Sequence, residues 1–412
     1  MNTRSFPRFT ILAVLAVVVL LTSSCQTPLQ NAPDDMVPGW YKGNLHTHSF
    51  WSDGDDFPES IVAWYVDRGY DFVAISDHNT MAESERWLRF DSTSARYQAY
   101  QLYQERFGDA WVEAEEVGDS VFVRLKTFDE YAGRFTVDGE FMVIHSEEIT
   151  DGYDGKPIHI NATNIKDYIE PQGGTSVLDV MQRNVTAVLQ QREATGQAMF
   201  PHINHPNFGW AVTAEDLARL EGERFIEVYN GHPSVNNNGD AERPSVEMMW
   251  DIANTIRIAE GRPLLLGLAV DDAHNFHEMA MNRSNPGRGW VMVQAPSLSA
   301  EDLIHSMEEG SFYASSGVEL VQVTADENGI EIEISTEEGV TYTTEYYGTR
   351  GPGEVGVLLA TIDGPTPAYT FSGDELFVRA RVISSVVKEN PYSPGEFERA
   401  WTQPVIPTIL SE

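Results

Sequence analysis

The chain has 412 residues, of which 42% are hydrophobic, so it is long enough for two domains with a sizeable core. Its 63 acidic and 27 basic residues give a formal net charge of −36, which repels polyanions at long range. This charge argues against nucleic acid as a partner, but it does not exclude a small phosphorylated substrate at a locally cationic metal site.

The N-terminal segment 1–25 has the pattern of an export signal. Arg4 and Arg8 precede a continuously apolar run at 11–21, which is too short to span a bilayer comfortably and is typical of a signal peptide. Cys25 is the only cysteine and follows small residues, so the segment resembles a bacterial lipoprotein signal in which Cys25 is lipidated. A plain secretory signal and an uncleaved anchor are the alternatives.

The next segment, 26–42, is polar and rich in proline, which predicts a flexible tether. Together with Cys25, this segment leads us to expect an exported lipoprotein that is anchored to a bacterial membrane. Such a protein would face the periplasm or the cell surface. A chain with one cysteine can form no internal disulfide.

Apolar strands alternate with helices over 43–310, which predicts an α/β fold with a parallel sheet or a barrel. One helix is predicted to begin at Pro58 and to stop at Gly69, because proline favours the first helical turn and glycine the end. The other predicted helices are 176–195, 243–260 and 299–309, and the predicted strands are GNLHTH, YDFVAISDHN, EFMVIHSEEIT, QAMFPHINHP, RFIEVYNG, PLLLGLAVDDAH and GWVMVQA.

Two segments depart from this alternation. Residues 83–140 form an insertion rich in aromatic and charged residues, where we expect a helix and a hairpin that make a lid or a wall. Residues 311–412 contain strands with a period of two, which predicts a small antiparallel β-domain. This domain has no histidine, so we expect it to bind or pack rather than to carry chemistry.

Histidines and carboxylates recur where the predicted strands end. The carboxyl ends of barrel strands meet at one mouth, where α/β barrels place their active sites. His46 and His48 lie two residues apart on one strand, so both imidazoles project from the same face. A lone histidine is more often structural, but imidazoles with carboxylates suit zinc, manganese and iron. The residues of this pattern are His46, His48, Asp77, His78, Glu147, Glu148, His159, His202, His205, Asp272 and His274.

The motifs HTHSFWSDG, ISDHN, SEEIT, IHINA, NHPN and VDDAH occur in this order over about 43–310. They resemble the motifs of the PHP (polymerase and histidinol phosphatase) family of metal-dependent hydrolases. The resemblance implies a distorted seven-stranded (β/α) barrel, here followed by the β-domain. It also implies two or three divalent metal ions at the C-terminal mouth, with zinc, manganese and iron as the candidates.

The resemblance further implies a ligand role for each matching position. A carboxylate that bridges two of the metals is part of this implied set, since several cations in one pocket need negative charge between them. The implied ligands are His46, His48 and Asp272 for a first metal, Glu148 as the bridge, His159 and His205 for a second metal, and Asp53, His78 and His274 for a third.

The sequence departs from the family pattern at two positions. Glu147 occupies a place that is usually apolar, and Asp271 stands where the family usually has serine. Asp271 and Asp272 are therefore both candidates for the last ligand, and the spacing to His274 favours Asp272. His202 lies outside the motifs, and we expect a supporting or structural role for it.

We favour a hydrolase that acts on small phosphate esters outside the cytoplasm, because divalent metals lower the pKa of bound water toward neutrality. The fragments IEVYNGH, GRGWVMV and GSFYASSGVEL resemble a branch with carbaryl-hydrolase-like and exported members. An exported amide or carboxylic-ester hydrolase is therefore an alternative. A surface lipoprotein that binds a ligand without catalysis is an alternative of another class. The candidates for orienting water or moving a proton are Asp53, Asp77 and His78.

Three further residues are candidates for contacting the substrate, which we expect to be a small anion. Arg283 and Arg288 precede a predicted strand and could bind an anionic group, with surface salt bridges as the alternative. Asn230 is a candidate for the rim of the site, with an ordinary Asn-Gly turn as the alternative.

Overall fold

The computed structural model describes residues 38–407 apart from Glu327 and Pro352, so the predicted signal and Cys25 lie outside it. Within that range, no helix has both the length and the apolar character that crossing a membrane requires. The α-helices are α1 (Pro58–Val66), α2 (Ala95–Phe107), α3 (Phe128–Phe135), α4 (Val177–Thr195), α5 (Ala214–Arg219), α6 (Val246–Ala259) and α7 (Ala300–Glu308). The strands are β1 (Gly39–Asn44), β2 (Phe72–Ile75), β3 (Trp87–Asp91), β4 (Ala114–Val117), β5 (Ser120–Arg124), β6 (Met142–Tyr153), β7 (Lys156–Thr163), β8 (Phe200–Ile203), β9 (Phe225–Asn230), β10 (Leu266–Val270), β11 (Trp290–Ala295), β12 (Phe312–Ser315), β13 (Leu320–Ala325), β14 (Gly329–Ile334), β15 (Tyr342–Thr349), β16 (Val357–Asp363), β17 (Ala368–Thr370), β18 (Phe377–Val387) and β19 (Phe397–Thr402).

Local sequence accounts for where several helices begin and end. Pro58 stands in the first turn of α1, and Gly69 adopts a φ of 69° just beyond the helix. Ser176, Ser245 and Ser299 precede α4, α6 and α7, and each hydroxyl accepts a hydrogen bond from a backbone N–H of the first turn. The four helices predicted at these places are confirmed.

The large sheet is mixed. Its thirteen strands lie in the order β10-β9-β8-β7-β6-β2-β1-β11-β12-β19-β18-β15-β16. The pairs β1–β2, β2–β6, β8–β9 and β9–β10 are parallel, whereas β7 is antiparallel to both neighbours. The cause is a two-residue turn at Asp154 and Gly155, whose φ values of 50° and 75° suit a tight hairpin. At β7 the sheet thus departs from the parallel order that the alternation predicts.

The run of strands from β1 to β10 curves back on itself. Beyond the ends of these two strands, Thr47 and Ala273 form a parallel bridge. The backbone N–H of His48 donates to the carbonyl of Ala273, and the N–H of Asp272 donates to the carbonyl of His46, both at 2.9 Å. The first and last ligand motifs of the sequence are therefore neighbours in space.

The 83–140 insertion contains more secondary structure than the helix and hairpin that we expected. It contains the antiparallel sheet β3-β5-β4 together with α2 and α3. Its aromatic residues pack on the segment after the HTH motif, with the ring centroid of Tyr103 at 3.9 Å from that of Phe57. Trp51 of the same segment donates its indole N–H to the carbonyl of Lys126. The insertion thus forms a wall behind residues 49–57.

The C-terminal strands pack against the preceding part of the chain. Strands β12, β19, β18, β15 and β16 extend the large sheet, and β13-β14-β17 form a second sheet over a shared core. Arg379 of β18 donates two hydrogen bonds of 2.8 Å to Asp251 of α6. Asn390 and Lys388 bind the polar groups of Arg288, ahead of β11. The predicted packing role of this region has a physical basis in these contacts.

Candidate metal centre

The backbone after β1 brings the first two histidines together in the curved sheet. Nε2 of His46 lies 3.1 Å from Nε2 of His48, and both nitrogens lie 3.3 Å from Oδ1 of Asp272. In the neutral ring of His46, the hydrogen bond from Nδ1 to Glu227 leaves a lone pair on Nε2. Two imidazole nitrogens and a carboxylate oxygen that face one another at these distances fit a cation between them.

Glu148 lies between this group and a second one. Its Oε1 lies 3.5 Å from Nε2 of His46, 3.0 Å from Nδ1 of His159 and 3.5 Å from Nε2 of His205. Oε2 of Glu148 lies 2.6 Å from Nδ1 of His78, and Nδ1 of His159 lies 3.0 Å from Oε1 of Glu148, but neither contact has hydrogen-bond geometry, so both buried atoms are left without a hydrogen bond. Such orphaned polar atoms are costly unless a cation binds them. A carboxylate with ligand nitrogens on both sides can bridge two metal ions.

A third group surrounds the carboxylate of Asp53. Its Oδ1 lies 3.3 Å from Nε2 of His274, 3.6 Å from Nε2 of His78 and 3.8 Å from Nδ1 of His48. Nδ1 of His274 donates to the backbone carbonyl of Asp272, so Nε2 of the neutral ring offers its lone pair to this group. The four residues can share one metal ion.

The turn that presents Asp53 is held by the neighbouring strand end. Asp77 accepts hydrogen bonds from the backbone N–H of Ser49, at 2.7 Å, and from the hydroxyls of Ser49 and Ser52. Gly54 closes the turn, since a Cβ there would meet the carbonyl of His48 at 2.4 Å. The carboxylate of Asp77 is thus engaged with serines and lies outside the groups that could hold a metal.

The carboxylates of the site are ionised at neutral pH. Burial would raise the pKa of Glu148, but the surrounding imidazoles hold that pKa well below its usual range, and the pKa of Asp272 is depressed by the same balance. Burial and adjacent imidazoles lower the pKa of His48 to about 3, so this ring is neutral. Burial opposes the charging of His46, but nearby carboxylates raise its pKa well above the usual value, so a cation would displace a proton there.

Three residues near the ligands have an unusual backbone conformation. His205 has a φ of 23°, Asp272 of 49° and Asn79 of 48°, although none is glycine. Left-handed backbone at residues with side chains costs about 1 kcal/mol or more and persists where the surrounding structure enforces it. At His205 and Asp272 this conformation coincides with predicted ligands, which is typical of functional sites.

Two residues of the site were not predicted. Glu227 on β9 is fully buried, and it contacts His46, His202 and the backbone N–H of His205 through its two oxygens. Asn204 donates to Oε1 of Glu148 at 2.6 Å. The only sequence signal for Glu227 is a carboxylate within the otherwise apolar strand RFIEVYNG. Nε2 of His202 lies 3.2 Å from Oε1 of Glu227, and the supporting role expected for His202 stays a prediction.

Several predicted residues lie outside the ligand groups. Asp271 accepts hydrogen bonds from Tyr65 and from the backbone N–H of Gly289, which leaves Asp272 as the residue that faces the histidines. Asn230 is fully buried and binds Glu227 and Asp272 rather than standing at a rim.

Neither arginine that we considered for substrate binding faces the ligand groups. The guanidinium of Arg288 is buried and donates to carbonyl oxygens, including those of Gly231 and Ala280. Arg283 is exposed and pairs with Glu278 at 2.7 Å. Glu147 points away from the metal groups and accepts the backbone N–H of Ile169.

Comparisons with known proteins find similarity only among solved structures. No protein-family model matches the sequence, and no curated protein matches it. A two-domain protein from Bacteroides vulgatus that contains a predicted PHP-like metal-dependent phosphoesterase is 16% identical over 90% of this chain and 97% of that one, with a TM-score of 0.39. A proposed metal-dependent phosphoesterase from Bifidobacterium adolescentis is 14% identical over 66% and 96%, with a TM-score of 0.32. An amidohydrolase from Chromobacterium violaceum, with bound sulfate and no metal, is 12% identical over 57% and 87%, with a TM-score of 0.29.

Proposed function

We propose that this protein is a metal-dependent phosphoesterase of the PHP type, with a distorted seven-stranded barrel and two or three divalent metal ions. The observation that carries the proposal is the position of Glu148. Its carboxylate lies within 3.6 Å of nitrogens from five histidines, which belong to all three ligand groups. A carboxylate in that position supplies the negative charge that adjacent divalent ions need.

The residues that would hold the ions come from all the predicted motifs. When bound, divalent ions lower the pKa of water and stabilise negative charge on phosphoryl oxygens. The chain provides the ionised carboxylates of Glu148 and Asp272 and a turn, held by Asp77, that presents Asp53. Exposed Asp53, whose Oδ1 lies 3.3 Å from Nε2 of His274 and 3.6 Å from Nε2 of His78, can orient a water at the surface of the site by accepting a hydrogen bond.

The presence of several adjacent ligand groups favours phosphate esters as substrates, because a phosphoryl group carries several charged oxygens. Divalent ions held side by side by these residues would neutralise the several charged oxygens of a phosphoryl group, which is the usual role of closely spaced metals. Zinc, manganese and iron all accept imidazole with carboxylate. The substrate in this proposal is a small phosphate ester that enters from outside the membrane.

An activity screen tests the proposal. The metal-loaded mature chain would be offered phosphomonoesters and phosphodiesters beside aryl esters and amides, with Glu148→Gln as the inactive control and Glu147→Gln as the matched neighbour. Phosphate release that is lost only in Glu148→Gln supports the proposal. Cleavage of carbonyl substrates alone would identify an amide or ester hydrolase, and metal binding without any cleavage would favour a binding protein.

We also propose that the protein is exported and held at a bacterial membrane through lipidated Cys25. The proposal rests on the sequence pattern of residues 1–25. Membrane fractionation of wild type and Cys25→Ser tests it. Release of the Cys25→Ser protein into the soluble fraction is the expected result, and continued membrane association after processing would exclude lipidation as the anchor.

A further inference from the structure

A histidine that belongs to none of the ligand groups lies at the metal centre. The ring centroid of His232 is 5.5 Å from that of His274 and 6.2 Å from that of Phe208. Phe208 in turn lies 5.0 Å from the ring of His205. His232 therefore lies beside ligand groups on two sides of the centre without being one of their members.

The loop that carries His232 is attached to the ligands. The backbone N–H of His232 donates to Oδ1 of Asn230 at 2.8 Å, and Nδ2 of Asn230 donates to Oδ2 of Asp272 at 3.1 Å. On its other side, Arg288 donates to the carbonyl of Gly231 at 2.7 Å. The backbone at Gly231 and His232 is thus held close to Asp272 by the side chains of Asn230 and Arg288.

The polar atoms of the His232 ring have different surroundings. The backbone N–H of Ser234 donates to Nδ1 of His232 at 3.1 Å, so in the neutral ring the proton resides on Nε2. Nε2 makes no hydrogen bond to any group among residues 38–407 that the structure describes. The ring is also only half-buried, so Nε2 is an N–H donor of fixed tautomer that is free to meet a ligand.

We propose that Nε2–H of His232 donates a hydrogen bond to an oxygen of a phosphate ester bound at the metal centre. This inference rests on the proposed function and assigns one residue that recognises its substrate. A donor fixed in advance is worth most when its acceptor is charged and shielded from water. The loop supplies such a donor from outside the metal ligands, and Phe208 beside it offers an apolar face to the organic part of the ester.

Two substitutions separate the two nitrogens of His232. In His232→Asn, the side-chain oxygen can still accept the N–H of Ser234, but the donor at the position of Nε2 is lost. In His232→Gln, the longer amide can place an N–H near that position. His305→Ala removes an exposed histidine on α7 and serves as the control. Metal content of each protein is measured first, because an indirect effect on the ligands would change it.

Calorimetric titration of the metal-loaded full chain with inorganic phosphate is the measurement. We expect His232→Asn to weaken phosphate binding by about 10- to 100-fold with unchanged metal content, which is the range for a hydrogen bond to a charged group. We expect His232→Gln to lie between His232→Asn and wild type, and His305→Ala to match wild type. Unchanged binding in His232→Asn would overturn the inference, and so would equal metal loss in both His232 variants.

The outcomes for this inference and for the proposed function are distinguishable. Phosphate binding that depends on His232, in a protein that cleaves no phosphate ester, supports the inference and removes the phosphoesterase. Ester cleavage with the same KM in wild type and His232→Asn supports the phosphoesterase and removes the inference. A metal-loaded wild type that binds no phosphate also counts against the inference, whichever substrates it cleaves.

Discussion

The carboxylate of Glu227 lies 2.7 Å from Nδ1 of His46, on the side of the ring opposite the metal groups. This contact keeps the proton of the neutral ring on Nδ1 and directs Nε2 toward His48 and Asp272. Burial would raise the pKa of Glu227, but His46 and His202 lower it to about 2, so the carboxylate is ionised throughout the neutral range. Glu227 thereby orients His46, a predicted metal ligand, although Glu227, His46 and His202 also lie close enough together to hold an ion themselves.

Replacement of Glu227 by Gln should weaken metal binding by about 10- to 100-fold, the usual cost of removing a partner that orients a ligand. The amide carries no charge but is nearly the same size as the carboxylate. Because of this similar size, the fold should be retained. Competition against a chelating dye measures the affinity. Glu215→Gln, at an exposed position on α5, is the control. Equal affinities in Glu227→Gln and wild type would show that His46 needs no such partner.

Adjacent glutamates provide a second test. Glu148→Gln should lose at least one equivalent of metal and at least about 100-fold in activity, because it removes the shared carboxylate of the centre. Glu147→Gln should keep both, since Glu147 faces away and binds the backbone of Ile169. Metal analysis and turnover of the same preparations check both. Similar losses in the two variants would mean that the assignment of Glu148 is wrong.

The residues that cluster at the candidate centre could be identified from the sequence because each motif is local in sequence, and the fold then only has to bring strand ends together. Glu227 could not be predicted, because one carboxylate in an apolar strand has no spacing pattern, and its partner His46 is 181 residues away in the chain. The same holds for Arg288, whose carbonyl partners belong to separate loops. The antiparallel β7, by contrast, was predictable from the Asp-Gly pair in YDGK.

Removal of metal should lower the melting temperature. Ligands that bind only the folded state stabilise it, and without cations the centre holds close, ionised carboxylates and imidazoles. We expect a chelator to lower Tm by several degrees and an excess of zinc or manganese to restore it. Glu148→Gln should respond less to the chelator. A wild-type Tm that is unchanged after complete loss of metal would argue against metal ions at this buried centre.

Stability should depend on pH through Asp56. Burial, with Asp55 and Glu59 nearby, raises the pKa of Asp56 to about 8, although His277 approaches its Oδ2 at 3.3 Å. The folded protein therefore holds the proton more tightly than the unfolded chain, so this contribution is full below about pH 4 and is lost as the pH rises toward 8.

Asp56→Asn should remove this dependence and keep the hydrogen bond that Asp56 accepts from the N–H of Phe57. Relative to wild type it should gain stability between pH 4 and 8, up to a few kcal/mol, since one pKa unit corresponds to about 1.4 kcal/mol. Urea unfolding at several pH values measures the gain. A constant difference between the two proteins across this range would show that Asp56 titrates normally or that His277 stabilises its ionised form.

The two arginines before β11 should behave in opposite ways. Arg288→Ala leaves the buried carbonyls of Gly231, Arg283 and Ala280 without a donor, so we expect a loss of about 3–5 kcal/mol and weaker phosphate binding through the displaced His232 loop. Arg283→Ala removes only an exposed pair with Glu278 and should cost less than about 1 kcal/mol. Thermal unfolding and KM of the two variants distinguish these effects. If Arg283→Ala instead raises KM for a phosphate ester tenfold at an unchanged Tm, Arg283 reaches the substrate and its pairing with Glu278 is broken when substrate binds.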